Sequence, residues 1–331
     1  MKDASGRKIE YLRISVTDRC NERCLYCMPP EGVTAMAHEE ILTYDEILRL
    51  VGLFAELGVR SVRLTGGEPL VRRGLASLVA GLKDIPGIKK VSLTTNALLL
   101  ADQLPDLISA GLNSVNISLD TCDPVLYERI TRTGRLEKAL EGIEAAASCP
   151  ALQTKLDCVI LGMPEQRLTD VAAFAKDRPI HVRYIEMMPI GLGREAFGGK
   201  GPFAFRSCDE VRRTLEKAYG PLSPVADCLG DGPAIYESLP GFAGRIGFIG
   251  ALSHKYCQSC NRVRLTSQGY LKTCLQYETG GDLKELLRNG SSDEEILSAI
   301  QNIIDQKPLS HSFLEDIIPG EEEKTMSQIG G

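Results

Sequence analysis

Two thiol triads, one toward each end of the chain, constrain what this sequence can fold into more than any other feature. The first is Cys20-Asn-Glu-Arg-Cys24-Leu-Tyr-Cys27, a C-x3-C-x2-C run that directly follows a short strand-like segment. The second is Cys257-Gln-Ser-Cys260, completed by Cys274. A structural zinc ion takes four ligands and closes its tetrahedron. Three thiols per site suit instead a four-iron cluster in which one iron keeps no protein ligand. That iron is free to bind a small molecule, as an open zinc position is. Two such centres in one chain imply chemistry on both sides of a shared cavity.

The thiols also bear on compartment. Of eleven cysteines, Cys122, Cys149, Cys158, Cys208 and Cys228 stand outside the triads, each alone. An odd count argues against a disulfide framework and for a reducing compartment, with the lone thiols acting as small buried hydrophobes. No apolar stretch approaches the roughly 18 residues of a membrane span, and the segment from Met1 to Arg7 has no signal-peptide core. The expected location is cytoplasmic, with no membrane partner. A net charge of −6 argues against a nucleic-acid surface. It leaves room for a local knot of Arg and Lys around a small phosphorylated ligand.

Residues 1–190 read as repeated strand-then-helix units. Strands are expected at Tyr11–Val16, Val59–Thr65, Lys90–Thr94, Ser114–Leu119, Gln153–Leu161 and Ile180–Met187. The clearest helix runs from Thr43 to Leu57, with Thr43 and Glu46 placed as a capping box. Its apolar stripe is Ile47, Leu48, Leu50, Val51 and Phe54, and Gly58 is its stop. Six parallel β-α units fall short of the eight that close a barrel. The predicted class is therefore α/β, a partial (β/α)6 TIM-type barrel. After Pro189 the rhythm breaks in a passage rich in Gly and Pro, including Gly198 and Gly199. Residues 191–331 read as a smaller α+β domain covering the open side. It has a helix near Asp209–Tyr219, strands at Ala234–Ser238 and Arg245–Ile249, and a hairpin of Arg262–Thr266 with Tyr270–Thr273. Helices near Leu283–Leu287 and Asp293–Ile304 precede a polar tail, whose acidic run from Gly320 is expected to be mobile on its own.

Several blocks carry a resemblance. Cys20-x3-Cys24-x2-Cys27 with Tyr26 before the last cysteine, and Gly66-Gly67-Glu68-Pro69 at the end of the second strand, resemble the signature of radical S-adenosylmethionine (SAM) enzymes. The match narrows to the GTP 3′,8-cyclases, the molybdenum-cofactor biosynthesis protein A family. Its blocks include Arg13-Ile-Ser-Val-Thr-Asp-Arg-Cys-Asn, Thr94-Thr-Asn, Asn116-Ile-Ser-Leu-Asp, Cys260-Asn-Arg-Val-Arg-Leu-Thr and Met326-Ser-Gln-Ile-Gly-Gly.

The resemblance implies a radical SAM enzyme that makes (8S)-3′,8-cyclo-7,8-dihydroguanosine 5′-triphosphate from GTP, the first step toward molybdenum cofactor. It implies two [4Fe-4S] clusters, one on Cys20, Cys24 and Cys27 that binds SAM, and one on Cys257, Cys260 and Cys274 that binds the guanine base. Tyr26, Gly67, Ser118 and Met188 would contact SAM. Arg13, Arg63, Thr94, Lys155, Arg183, Arg262 and Arg264 would contact GTP, with Arg13, Gly330 and Gly331 also catalytic. Partners implied are a flavodoxin- or ferredoxin-like electron donor and a downstream cyclic pyranopterin monophosphate synthase; a homodimer is a candidate assembly. The residues support a nucleotide independently. Arg262 and Arg264 are two apart in a strand and so share a face, and guanidinium forks suit phosphate.

Three positions depart from the family pattern: Ser61 stands in place of a usual lysine, Ala97 of a glycine and Asp157 of an asparagine. Ala97 is awkward if the backbone there requires positive φ. The histidines, His38, His181, His254 and His311, share no metal-ligand spacing and read as structural or solvent-facing. Two rival readings are a radical SAM peptide maturase with an auxiliary cluster and a non-catalytic iron–sulfur or zinc scaffold.

Overall fold

A computed structural model describes residues 1–331 except 35, 196–200, 227–228, 314–319, 321, 323 and 331, and not the side chain of Glu195. Gly198, Gly199, Cys228 and Gly331 therefore lie outside the described residues. Six β-α units open the chain. Strands β1 (Tyr11–Ser15), β2 (Ser61–Thr65), β3 (Lys90–Thr95), β4 (Ser114–Ser118), β5 (Gln153–Ile160) and β6 (His181–Glu186) pair in parallel in that order. Between them run α1 (Tyr44–Glu56), α2 (Leu75–Asp84), α3 (Leu100–Ser109), α4 (Pro124–Thr131), α5 (Leu136–Ala147) and α6 (Leu168–Ala172).

Helix α1 shows why these elements form. Glu46 N–H donates to the Thr43 hydroxyl at 3.1 Å and the Glu46 carboxylate accepts from Thr43 N–H at 2.7 Å, closing the capping box. Ile47, Leu50, Val51 and Phe54 are fully buried, each contributing about 1.5–3 kcal/mol of burial. Gly58 ends the helix at φ 98°.

Strand alternation sorts the residues by face. Leu12, Ile14, Val62, Leu64, Val91, Leu93, Val115 and Ile117 are buried with the helices in one core. Their alternates Arg13, Arg63, Thr94, Asn116, Lys155 and Arg183 face a central cavity. A barrel interior lined by cations and amides is expensive unless a ligand needs them.

The C-terminal part does more than cover an open side. It contributes α7 (Leu192–Glu195), α8 (Cys208–Tyr219), β7 (Ser223–Pro224), β8 (Ile235–Ser238), β9 (Ile246–Ile249), β10 (Arg262–Leu265), β11 (Tyr270–Lys272), β12 (Gly280–Asp282), α9 (Leu283–Arg288), α10 (Asp293–Asp305) and α11 (Met326–Ile329). Strand β10 adds in parallel to β1, with Arg264 opposite Arg13, and β9 adds in parallel to β6, with Gly247 opposite Arg183. The single sheet runs β12-β11-β10-β1-β2-β3-β4-β5-β6-β9-β8-β7.

The tail differs from expectation. Glu322 is buried against Lys272, whose ammonium also donates to the Tyr277 carbonyl at 2.8 Å. That ion pair ties an acidic stretch into the protein where composition alone predicts none of it would pack. Ala97 takes φ 67°, so the position does require the left-handed region. A non-glycine there carries a strain of about 1–2 kcal/mol.

Candidate active site

The first triad lies in the loop that follows the C-terminal end of β1. The glycines of Gly66-Gly67-Glu68-Pro69 let the turn after β2 press on that loop. A Cβ at Gly67 would meet the Arg19 carbonyl at 2.4 Å, and one at Gly66 the Thr17 carbonyl at 2.6 Å. Gly67 N–H and Glu68 N–H instead donate to the Thr17 and Arg19 carbonyls, each at 2.8 Å. The Glu68 carboxylate then accepts from the Thr95 hydroxyl at 2.7 Å and from Asn96 N–H at 2.8 Å. The motif is thus a backbone-to-backbone clamp that fixes the cysteine loop.

This end of the cavity is rich in carboxylates and thiols. Burial pushes Glu22 and Glu68 up to about 7 and Asp120 up to about 6. Tyr26 donates its hydroxyl to Asp120 at 2.8 Å. Burial likewise raises the Cys20 and Cys27 thiols to about 12, opposed at Cys27 by the backbone N–H of Ser327 from the tail.

The second triad stands at the other end. Cys260 lies two residues before β10, which runs parallel to β1, and Cys274 follows the antiparallel β11. Here the charge is reversed. Burial would raise the Cys260 thiol, but Lys307 and Arg262 pull it down to about 7. Lys307 donates to the Arg262 carbonyl at 2.9 Å, and the Arg262 guanidinium lies 5.1 Å from the Tyr256 ring centroid.

Between the triads lies a belt of buried and half-buried basic side chains. Arg13 is in register with Arg63 on one side and Arg264 on the other, and burial, then Arg264, lower it to about 9. Arg63 donates Nε–H to the Tyr11 hydroxyl. Burial, then Arg183, Lys90 and Arg63, lower Lys155 to about 6. Arg264 donates Nη1–H to the Gly330 carbonyl at 2.7 Å, and Gly330 takes φ 78° where a Cβ would lie 2.8 Å from Ser15 Cβ. Arg183 donates to both Asp157 oxygens, at 2.6 and 2.5 Å.

One cavity therefore gathers Cys20, Cys24, Cys27, Tyr26, Gly67, Ser118, Met188, Arg13, Arg63, Thr94, Lys155, Arg183, Arg262, Arg264, Cys257, Cys260 and Cys274. Gly330 reaches it through Arg264. Sequence reasoning missed other members of its wall. His311, read as structural or solvent-facing, is buried on the cavity wall, its ring 4.6 Å from that of Phe313. Tyr11, Tyr256 and Lys307 also line it. For Tyr11 the signal was there, since it precedes Arg13 by two in the same strand.

The donor sets suit clusters. The triad cysteines are free thiols. Among the described residues no three His, Cys, Asp or Glu side chains converge closely enough to hold a single metal ion. Sets of three thiols on the wall of one cavity are the donor chemistry of a four-iron group with one open iron, whereas structural zinc takes four ligands. Among the described residues no helix is long and apolar enough to cross a membrane.

Comparison with known proteins gives two family matches, the radical SAM superfamily over residues 14–176 and Molybdenum Cofactor Synthesis C over residues 180–313. The GTP 3′,8-cyclase of Heliobacterium modesticaldum is 42% identical over 332 aligned residues, covering 100% of both chains. That of Pelotomaculum thermopropionicum is 45% identical with the same coverage. Among solved structures, Streptococcus suis SuiB bound to precursor peptide SuiA superposes with a TM-score of 0.58 at 14% identity, over 91% of this chain and 66% of that one. That likeness is one of fold alone.

Proposed function

The chain belongs to the GTP 3′,8-cyclase family of the radical SAM superfamily, and we infer from that membership and from the cavity that it converts GTP to (8S)-3′,8-cyclo-7,8-dihydroguanosine 5′-triphosphate in molybdenum-cofactor biosynthesis. The observation that carries the reading is the arrangement of two thiol triads at opposite ends of one cavity with buried and half-buried basic side chains between them.

Cys20, Cys24 and Cys27 would hold the cluster that binds SAM, and Cys257, Cys260 and Cys274 a second one. SAM bound at the first triad would supply the radical chemistry that opens the reaction at the ribose of GTP. The chain's own residues do the positioning. Tyr26, Gly67, Ser118 and Met188 line the end of the cavity near the first triad and would orient SAM. Arg13, Arg63, Thr94, Lys155, Arg262 and Arg264 would grip the nucleotide midway, so that the ribose faces the first triad and the base the second. Holding the reacting centres in line supplies much of the rate in such a reaction. The tail would help exclude water, since Ile329 packs with Ile190, Leu252 and Phe313, against Met188 and Met326. Gly330 sits where no larger residue fits. An electron donor of flavodoxin or ferredoxin type and a downstream cyclic pyranopterin monophosphate synthase complete the reading.

The test is anaerobic. The protein is reconstituted with iron and sulfide, its iron and sulfide are counted, and SAM cleavage is followed with and without GTP. Two four-iron clusters and a cyclised nucleotide are expected. Iron for one cluster alone removes the second-cluster assignment, and SAM cleavage with no cyclised guanine nucleotide removes the substrate.

A further inference from the structure

The base of the barrel carries a cation that the site described so far does not use. Lys90 is the first residue of β3, and strand alternation puts it in phase with Ser92 and with Thr94, which lines the cavity. In register beside it on β2 is Ser61, which carries no charge. The segment 229–234 crosses beneath. It stands between the main cavity and a second hollow on the underside, whose lining includes Glu10, Arg60, Ser61, Lys89 and Lys90, and Asp231 lines both.

Charges converge on this segment. A Cβ at Gly230 would lie 3.3 Å from Lys155 Nζ and 3.8 Å from Lys90 Nζ, and one at Gly232 would lie 3.9 Å from Arg183 Nη1. Two lysine side-chain nitrogens thus approach one point of the backbone. Arg183 is already matched by Asp157, whereas Lys155 Nζ donates to a neutral amide oxygen, that of Gln153. Lys90 faces Asp231 at 3.8 Å, too long for a hydrogen bond, and both side chains are partly exposed. A long, half-solvated pair of this kind is weak and readily exchanged for a better anion. A phosphate between two ammoniums at closer range is such an anion.

We propose that Lys90 is a further phosphate-binding residue of the nucleotide site, taking the outer phosphates together with Lys155 at the base of the barrel, and that Asp231 is the intramolecular counter-ion with which those phosphates compete. The inference rests on the cavity binding a guanosine triphosphate with its polyphosphate toward the base. It makes Lys90 a reader of phosphate number, because the inner phosphate is served by the arginine belt.

The experiment is calorimetric titration of the anaerobically reconstituted full-length protein with GTP, GDP and GMP at one ionic strength. Lys90→Gln should weaken GTP roughly tenfold, as loss of one charge-assisted contact does, and leave GMP within about twofold. Lys90→Arg should recover most of the loss, and Asp231→Asn should tighten GTP by about threefold while leaving GMP unchanged. Iron content and melting temperature establish that each variant is folded. If Lys90 only pins the segment through Asp231, then Lys90→Gln weakens GTP and GMP alike, and the proposal is overturned. It is equally overturned if GTP affinity stays within twofold. Wild-type protein that binds no guanine nucleotide removes the proposed function and this inference together; wild-type binding without dependence on Lys90 removes the inference alone.

Discussion

Replacing Asp157 with asparagine should exchange stability for affinity. Arg183 spends both arms of its guanidinium on this carboxylate, at 2.6 and 2.5 Å, and Asn116 adds a third donor at 3.1 Å. The two charged side chains are only 9% and 13% exposed. Removing one partner from a buried pair outright costs about 3–5 kcal/mol. Asparagine keeps the shape and one acceptor, so a loss of about 2 kcal/mol is expected, with a fall in melting temperature of roughly 3–6 °C. The freed guanidinium then faces the cavity. One additional charge-assisted contact to the nucleotide, about 1.5–3 kcal/mol, would tighten GTP by roughly ten- to a hundredfold. Melting curves with and without GTP, and calorimetric affinities at low and high salt, read both halves of the exchange. Because ligand stabilises by mass action, saturating GTP should erase most of the variant's deficit. A variant as stable as the parent with unchanged affinity would refute the reasoning. Weakened binding would show that the carboxylate aims Arg183 at the substrate rather than neutralising it.

Other predictions test separate parts of the structure. Lys155, lowered to about 6 chiefly by burial, binds fewer protons folded than unfolded, so its contribution to stability rises with pH from about 6 toward 10.5. An anion beside it restores its charge, so GTP binding at pH 8 should take up close to one proton. Binding heats that do not differ between Tris and HEPES would contradict this. Gly142→Ala should destabilise the fold by about 2 kcal/mol or more in denaturant titrations, because the new Cβ would meet the Ala97 carbonyl at 2.5 Å. A neutral result would mean that α5 shifts freely. Glu322→Ala, leaving the Lys272 ammonium buried without its carboxylate, should cost about 3–5 kcal/mol by denaturation, whereas Lys272→Met with Glu322→Leu should recover most of it. Equal losses in both would show that shape, not charge, holds the tail.

The parts legible in the sequence are those written locally. Period-two strands, the Thr43 capping box and the shared face of Arg262 and Arg264 need only a few neighbouring residues, and each is where local chemistry puts it. The two thiol triads, too, announce themselves by spacing. What local chemistry does not carry is partner choice across long separations. Nothing in Arg262–Leu265 says that it pairs with Tyr11–Ile14, so the meeting of Arg264 with Arg13 could not be read. The same holds for Asp157 and Arg183, and for Glu322, whose acidic neighbours mask a buried ion pair. Strands β7 and β12, at two and three residues, are too short for alternation to register. His311 was missed because a lone histidine has no spacing to judge.

Because β10 seals one flank of the six-stranded core and β9 the other, the early part of the chain cannot finish its sheet until the late part exists. During synthesis, β6 waits as an unpaired parallel edge for β9, about 60 residues on, and β1 for β10, about 76 residues beyond β6, and such edges recruit other chains. A ribosome halted before β9 would release an aggregation-prone intermediate rather than a small folded enzyme. Residues 14–176 and 180–313 match separate families, yet their shared sheet makes them poor modules. Gene fragments cut at that boundary should yield inclusion bodies singly and recover soluble protein only when both pieces are produced together.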